Sequence, residues 1–149
     1  MMMGFLIAVI SGVLMSLQGV FNTSVTKSSS IWVAAGFVQI TAFITCVVMW
    51  LFNKRPEISG IFNVENKIVL LGGVIGAFIT YTVVKSMSML GTAKAEVTIV
   101  IAQIAAAYII ELFGLFGSKK SDFCIVKLIG LVIAAFGVCL FNFYQAGNK

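Results

Sequence analysis

The chain has 149 residues, 60% of them hydrophobic and only 10% charged, with a mean hydropathy of +1.11; a soluble domain carries about 25% charged residues, so this is an integral membrane protein. The net charge of +5 calls for no nucleic-acid partner, because the basic residues cluster at the ends of apolar runs, where lysines snorkel toward lipid headgroups. There is no histidine, which removes imidazole metal ligation and Ser/His or Cys/His catalysis.

No glycine-rich phosphate loop is present either, so neither enzyme chemistry, a catalytic residue, a metal site nor a cofactor is expected. The cysteines Cys46, Cys124 and Cys139 lie in or beside apolar runs without paired spacing. They read as buried small hydrophobes in a reducing or lipid setting. Five runs are long enough to span hydrocarbon, which takes about 20 apolar residues. An all-α integral membrane fold of five transmembrane helices follows, in a single domain over residues 1–149.

The first span is expected at 3–23. It begins MMMGFLIAVIS, has no basic n-region and outlasts a signal-peptide core, so it should stay in the membrane. Gly4, Ala8, Gly12 and Ser16 form a small-residue stripe suited to close helix approach. On another side Ser11, Met15, Gln18 and Asn22 line up. Gln18 and Asn22 either bond a neighbouring helix or face a polar cavity; both readings stand.

A polar link, Ser24 to Ser30, precedes the second span at 31–52. Trp32 and Trp50 are eighteen residues apart, about 27 Å at 1.5 Å per residue. That is close to one hydrocarbon thickness, so the indoles mark the two interfaces. Gln39, Thr41 and Thr45 are its polar residues, and hydroxyls there can satisfy their own helix backbone.

Asn53 to Asn66 is the longest loop, with Lys54, Arg55, Pro56, Glu57 and Glu65. The third span, 67–89, carries the stripe Gly72, Gly76 and Thr80 beside Gly73 and Ala77, and should pack tightly. Near its end come Tyr81 and Lys85; the lysine either snorkels outward or reaches inward to Glu96 or a substrate. A break at Leu90, Gly91 and Thr92 should turn the third and fourth helices into a hairpin.

The fourth span, 93–117, reads AKAEVTIVIAQIAAAYIIELFGLFG and carries Lys94, Glu96, Gln103 and Glu111. Charged side chains cost about 2.5–3.5 kcal/mol at a helix centre in hydrocarbon, so these polar groups must turn toward protein or water. Glu96 and Gln103 are seven residues apart and share a face, continued by Ala106 and Ala107. This helix is expected to wall a polar cavity. Glu111 lies near the far end and is either a functional acid or an interfacial carboxylate that caps or pairs.

A basic link with Lys119 and Lys120 leads to the fifth span, 123–144. It has Gly130, Ala134 and Gly137 on adjacent positions and reads as a packing helix. Gly147, Asn148 and Lys149 form the tail.

With five spans the termini fall on opposite sides. One side receives Lys54, Arg55, Lys67, Lys119, Lys120 and Lys127, the other Lys27, Lys85, Lys94 and Lys149. Six against four is a weak bias under the positive-inside rule. So even a balance permits insertion both ways round and an antiparallel homodimer, an inverted arrangement common among transporters. The alternatives are an N-terminus fixed in the cytoplasm with a parallel or different partner, such as a paralogue.

LMSLQGVFNTSV (Leu14 to Val25), with asparagine four residues after glutamine, and LGTAKAEVTIVIAQIAAAYIIELFGLFG (Leu90 to Gly117) carry a resemblance. Leu90 and Gly91 at the break, Gln103 eight residues before an acid, and the Glu111, Phe113, Gly114, Leu115, Phe116, Gly117 ending resemble the half-size, five-helix YdcZ-like family. That family falls in the drug/metabolite transporter superfamily, related to its EamA-type members, and the likeness extends over nearly the whole chain. Two features depart from the family pattern: the acid at 111 is more usually aspartate, and positions 94 and 96 are usually uncharged. Lys94 and Glu96 are then expected to form a local ion pair near the interface.

The resemblance implies a ten-helix unit of two chains that moves a small metabolite or drug-like compound by alternating access. It implies a multi-pass protein of a bacterial cytoplasmic (inner) membrane, with the bilayer, a small-molecule substrate and a second chain as partners. The residues themselves add candidates. Ser11, Gln18, Asn22, Gln39, Tyr81, Glu96 and Gln103 are candidate substrate-binding residues, and Glu96 and Glu111 candidate coupling acids. A carboxylate for which a proton and a polar or cationic compound compete suffices for antiport. The alternatives are a small dual-topology ion channel and a non-transporting membrane subunit.

Overall fold

A computed structural model of the chain describes residues 2–53, 55–64 and 66–144. Lys54, Glu65 and the tail residues Gly147, Asn148 and Lys149 lie outside the described residues. The architecture is all-α, with helices α1 (Met2–Ser28), α2 (Ile31–Phe52), α3 (Gly72–Leu90), α4 (Thr92–Phe113) and α5 (Ile125–Tyr144). Among the described residues five helices are long and apolar enough to cross a membrane. The chain divides into two compact units, residues 1–88 and 89–149.

In the first unit α1 runs five residues beyond its expected end. The polar residues of that stretch did not stop it, because their hydroxyls bond back into the helix: Thr23 Oγ1 donates to the Gly19 carbonyl and Thr26 Oγ1 to that of Asn22, both at 2.8 Å. Such back-bonding satisfies a hydroxyl without breaking the helix. Only Ser29 and Ser30 separate α1 from α2, and the Ser30 hydroxyl caps α2 by accepting the Val33 N–H. α2 occupies 31–52 as expected, with the tryptophans in its first and last turns.

The 53–66 loop holds a 3-10 turn, Ile58–Asn63, and is tied to α2 by Trp50, whose indole N–H donates to the Pro56 carbonyl at 2.9 Å. The third span opens as a 3-10 turn, Lys67–Leu71, before α3 proper. α3 packs on α1 at Gly19, where the methionine side chain of Met87 occupies the space a Cβ would need; the Met87 sulfur is 2.9 Å from that position and Val83 Cγ1 is 3.4 Å. The expected stripes behave differently. Among the described residues nothing lies within 4 Å of a Cβ placed at Gly4, Gly12, Gly72 or Gly73, whereas Gly76 of α3 is closely approached.

Gly91, at φ +83°, is the one residue between α3 and α4. In the second unit α4 stops at Phe113, four residues short of its expected end. Gly114 takes the left-handed conformation, φ 63° and ψ 36°, and its N–H bonds the Ile110 and Glu111 carbonyls. This is a glycine C-cap, a shape that side chains with a Cβ adopt at a cost. Phe116 and Gly117 also have positive φ, so the acid-aromatic-glycine ending is a helix stop rather than more helix. The link folds back over α4, with Ser121 N–H donating to the Glu111 carbonyl at 2.9 Å. α4 and α5 then pack as an antiparallel hairpin.

Little is buried. Among the described residues the buried apolar side chains are Ala34, Ala35, Val84 and Met87 in the first unit and Ala95 in the second, and the buried polar one is Asn22. Phe43 remains 69% exposed at the middle of α2. Hydrocarbon chains are as apolar as these side chains, so such exposure carries no penalty in a bilayer. The cysteines correct the expectation of burial: Cys46 and Cys139 are exposed, Cys124 is half-buried, and all three are free thiols.

Candidate functional site

The polar residues of the first unit fall into three settings. Ser11 and Gln18 are exposed on α1, whereas Asn22, on the same face, is 6% exposed. The difference follows from packing, since the Gly19 contact with Met87 lies one turn from Asn22 and leaves the N-terminal two-thirds of α1 uncovered. Gln39 of α2 reaches α3, where its Nε2 donates to the Gly73 carbonyl at 3.4 Å and sits 3.2 Å from a Cβ placed at Gly76. A helix carbonyl that takes a second donor from a side chain is one way polar groups join helices in lipid. Tyr81 stacks on Trp32 at 4.7 Å between ring centres and 21° between planes, and Phe78 meets the same indole edge-on at 6.2 Å. The first indole is therefore half of an aromatic clamp between α2 and α3 as well as a residue at the end of a span.

In the second unit Gln103 is exposed at the midpoint of α4 and Glu96 is half-buried in its second turn. Lys94 and Glu96, expected as a pair, are not bonded to each other. Among the described residues the ion pair is instead between Glu111 Oε2 and Lys127 Nζ of α5, at 3.4 Å, with the two side chains 50% and 51% exposed. Lys127 Nζ also stands 5.8 Å from the ring centre of Tyr108, within cation–π range. The Tyr108 hydroxyl accepts the Cys124 N–H at 3.1 Å and donates to the Cys124 carbonyl at 3.2 Å. One side chain of α4 thus holds both backbone groups of the residue just before α5. The backbone N–H groups of Lys127 and then Val126 hold the Cys124 thiol below its ordinary pKa; partial burial opposes this and the Lys127 charge adds to it.

These contacts frame a groove of about 400 Å³ between α4 and α5. α4 contributes Ile104, Ala107, Tyr108 and Glu111, and α5 contributes Lys127, Gly130, Leu131 and Ala134. Both sets have the spacing i, i+3, i+4, i+7, one stripe of each helix. Of the face expected to wall a cavity, Ala107 lines this groove; Gln103 and Glu96 do not. The part played by Lys127 was legible only as a basic residue near a helix end. The signal that finds it is hairpin register: a short link brings the turn before it and the turn after it together, and these hold one acid and one base.

A chain of five apolar spans, folded as helix hairpins that keep polar groups at membrane depth, is a multi-pass membrane protein. It belongs to the family described as "Putative inner membrane exporter, YdcZ", whose model matches residues 3–140. This is the family that the Leu14–Val25 and Leu90–Gly117 segments resemble, and its description names an inner-membrane exporter. No curated protein and no solved structure is significantly similar to the chain.

Proposed function

We propose that two copies of this chain, inserted in opposite orientations, form a ten-helix secondary exporter that moves a small polar or cationic organic compound by alternating access. The observation that carries this reading is Gln103, an exposed amide at the midpoint of a membrane span. A primary amide left unpaired in hydrocarbon costs several kcal/mol, so a partner helix or a wet cavity must cover it. The uncovered Ser11 and Gln18 of α1 and the empty space over Gly4 and Gly12 support the same need for a second chain. The family description as an exporter supports transport as the purpose of the cavity.

Glu96 is the coupling acid in this reading, because the other candidate, Glu111, is engaged by Lys127. A proton and a cationic cargo compete for the Glu96 carboxylate, which is sufficient for antiport. Transport measured in proteoliposomes under an imposed pH gradient tests both parts. Gln103→Leu is expected to lower uptake at least tenfold, and Glu96→Gln to remove its dependence on the gradient. PH-dependent uptake at parental rates in both variants would refute the assignment, and non-saturating flux would show a channel instead.

A further inference from the structure

We propose that the α4–α5 groove is a binding site for a zwitterionic aminophospholipid of the surrounding bilayer, with its ammonium on Glu111 and its phosphate on Lys127. The depth and the polarity of the groove agree with this occupant. Glu111 lies two residues before the end of α4 and Lys127 two residues after the start of α5, so the charged mouth sits at the end of the spans, at headgroup level. Ile104, seven residues deeper, is about 10 Å farther into the hydrocarbon. Below the mouth the walls are small or apolar, chiefly Ala107, Gly130 and Ala134. Among the described residues a Cβ built at Gly130 meets nothing within 4 Å, so the space beside α5 there is open.

The ion pair itself is built to accept a bridging ligand. Its 3.4 Å separation is long for a charge-assisted contact, whose usual range is about 2.7–2.9 Å. Both groups are half exposed and keep free capacity, since an ammonium has three donors and a carboxylate about four acceptor sites. A headgroup carrying phosphate and primary ammonium can therefore bond to both partners. A quaternary ammonium lacks the N–H that Glu111 would accept, and a headgroup that is only anionic meets the Glu111 charge. One molecule that joins such a headgroup to an alkyl chain pointing toward the bilayer centre is a phospholipid of the ethanolamine type.

Native mass spectrometry of the delipidated full chain, given ethanolamine, choline or glycerol phospholipids of identical acyl composition, tests the site without any transport assay. The ethanolamine lipid is expected to be retained about tenfold or more over the other two, the worth of one charge-assisted hydrogen bond. Gly130→Leu fills the groove without altering its charges and should lower that retention at least tenfold, with helical circular dichroism unchanged. Lys127→Gln leaves the walls intact and should lower it comparably, which keeps the test decisive if Gly130→Leu misfolds. Equal retention of the three headgroups by the parent chain would overturn the proposal. So would a dimer that excludes lipid and is lost in Gly130→Leu, because a second copy would then be the occupant.

Discussion

Tyr108→Phe is the most direct test of how the second unit holds together. The substitution keeps the ring and removes one oxygen, which both accepts the Cys124 N–H at 3.1 Å and donates to the Cys124 carbonyl at 3.2 Å. Each hydrogen bond contributes about 0.5–1.5 kcal/mol net, and the two share one deleted atom. The expected loss is therefore about 1–3 kcal/mol, on the order of a 5- to 150-fold change in the unfolding equilibrium. The Cys124 carbonyl also accepts the Leu128 N–H at 3.2 Å, so the first turn of α5 survives and the damage is confined to the α4–α5 joint. Reversible unfolding in mixed detergent micelles, followed by circular dichroism, measures the change. Tyr81→Phe is the matched control, because Tyr81 holds Trp32 through its ring face, and it should stay within about 0.5 kcal/mol of the parent. Equal stabilities for Tyr108→Phe and Tyr81→Phe would refute the claim that the Tyr108 hydroxyl pins the hairpin.

Gly19→Leu should destabilise the first unit by about 1–3 kcal/mol, the usual range for overpacking, since Met87 occupies the space the new side chain enters. Adding Met87→Ala in the same micelle assay should restore part of that loss, with a coupling of about 0.5–3 kcal/mol; strictly additive effects would contradict the α1–α3 contact. Cys124 lies just outside the fifth span, and its lowered pKa puts more thiolate present at a given pH, not less. Maleimide labelling in a Cys46→Ala, Cys139→Ala background should therefore reach half its maximal rate at a lower pH than labelling of a short cysteine peptide in the same micelles; a midpoint at or above the peptide's would refute the backbone contacts.

The amino-acid sequence by itself determined the class and the spans. Hydrocarbon solvates apolar side chains and punishes unpaired backbone, so a run of about 20 apolar residues has one stable form, a helix across the bilayer. That is why 31–52 could be read to the residue and the family from two segments. Helix ends were harder, because they turn on local competition: hydroxyl back-bonding carried α1 through Thr26, and the left-handed Gly114 stopped α4 before a stretch just as apolar as the helix itself. Only the tertiary structure decided partners. Small-residue stripes look alike along α1 and α3, yet close packing falls at Gly19 and Gly76, while Gly4 and Gly12 have no neighbour within 4 Å among the described residues. Glu111 found Lys127 across a hairpin while Lys94 and Glu96, two residues apart, did not meet. Residues two apart on a helix point to different sides, whereas antiparallel register joins residues sixteen apart, and that register is a property of the folded hairpin rather than of any one segment.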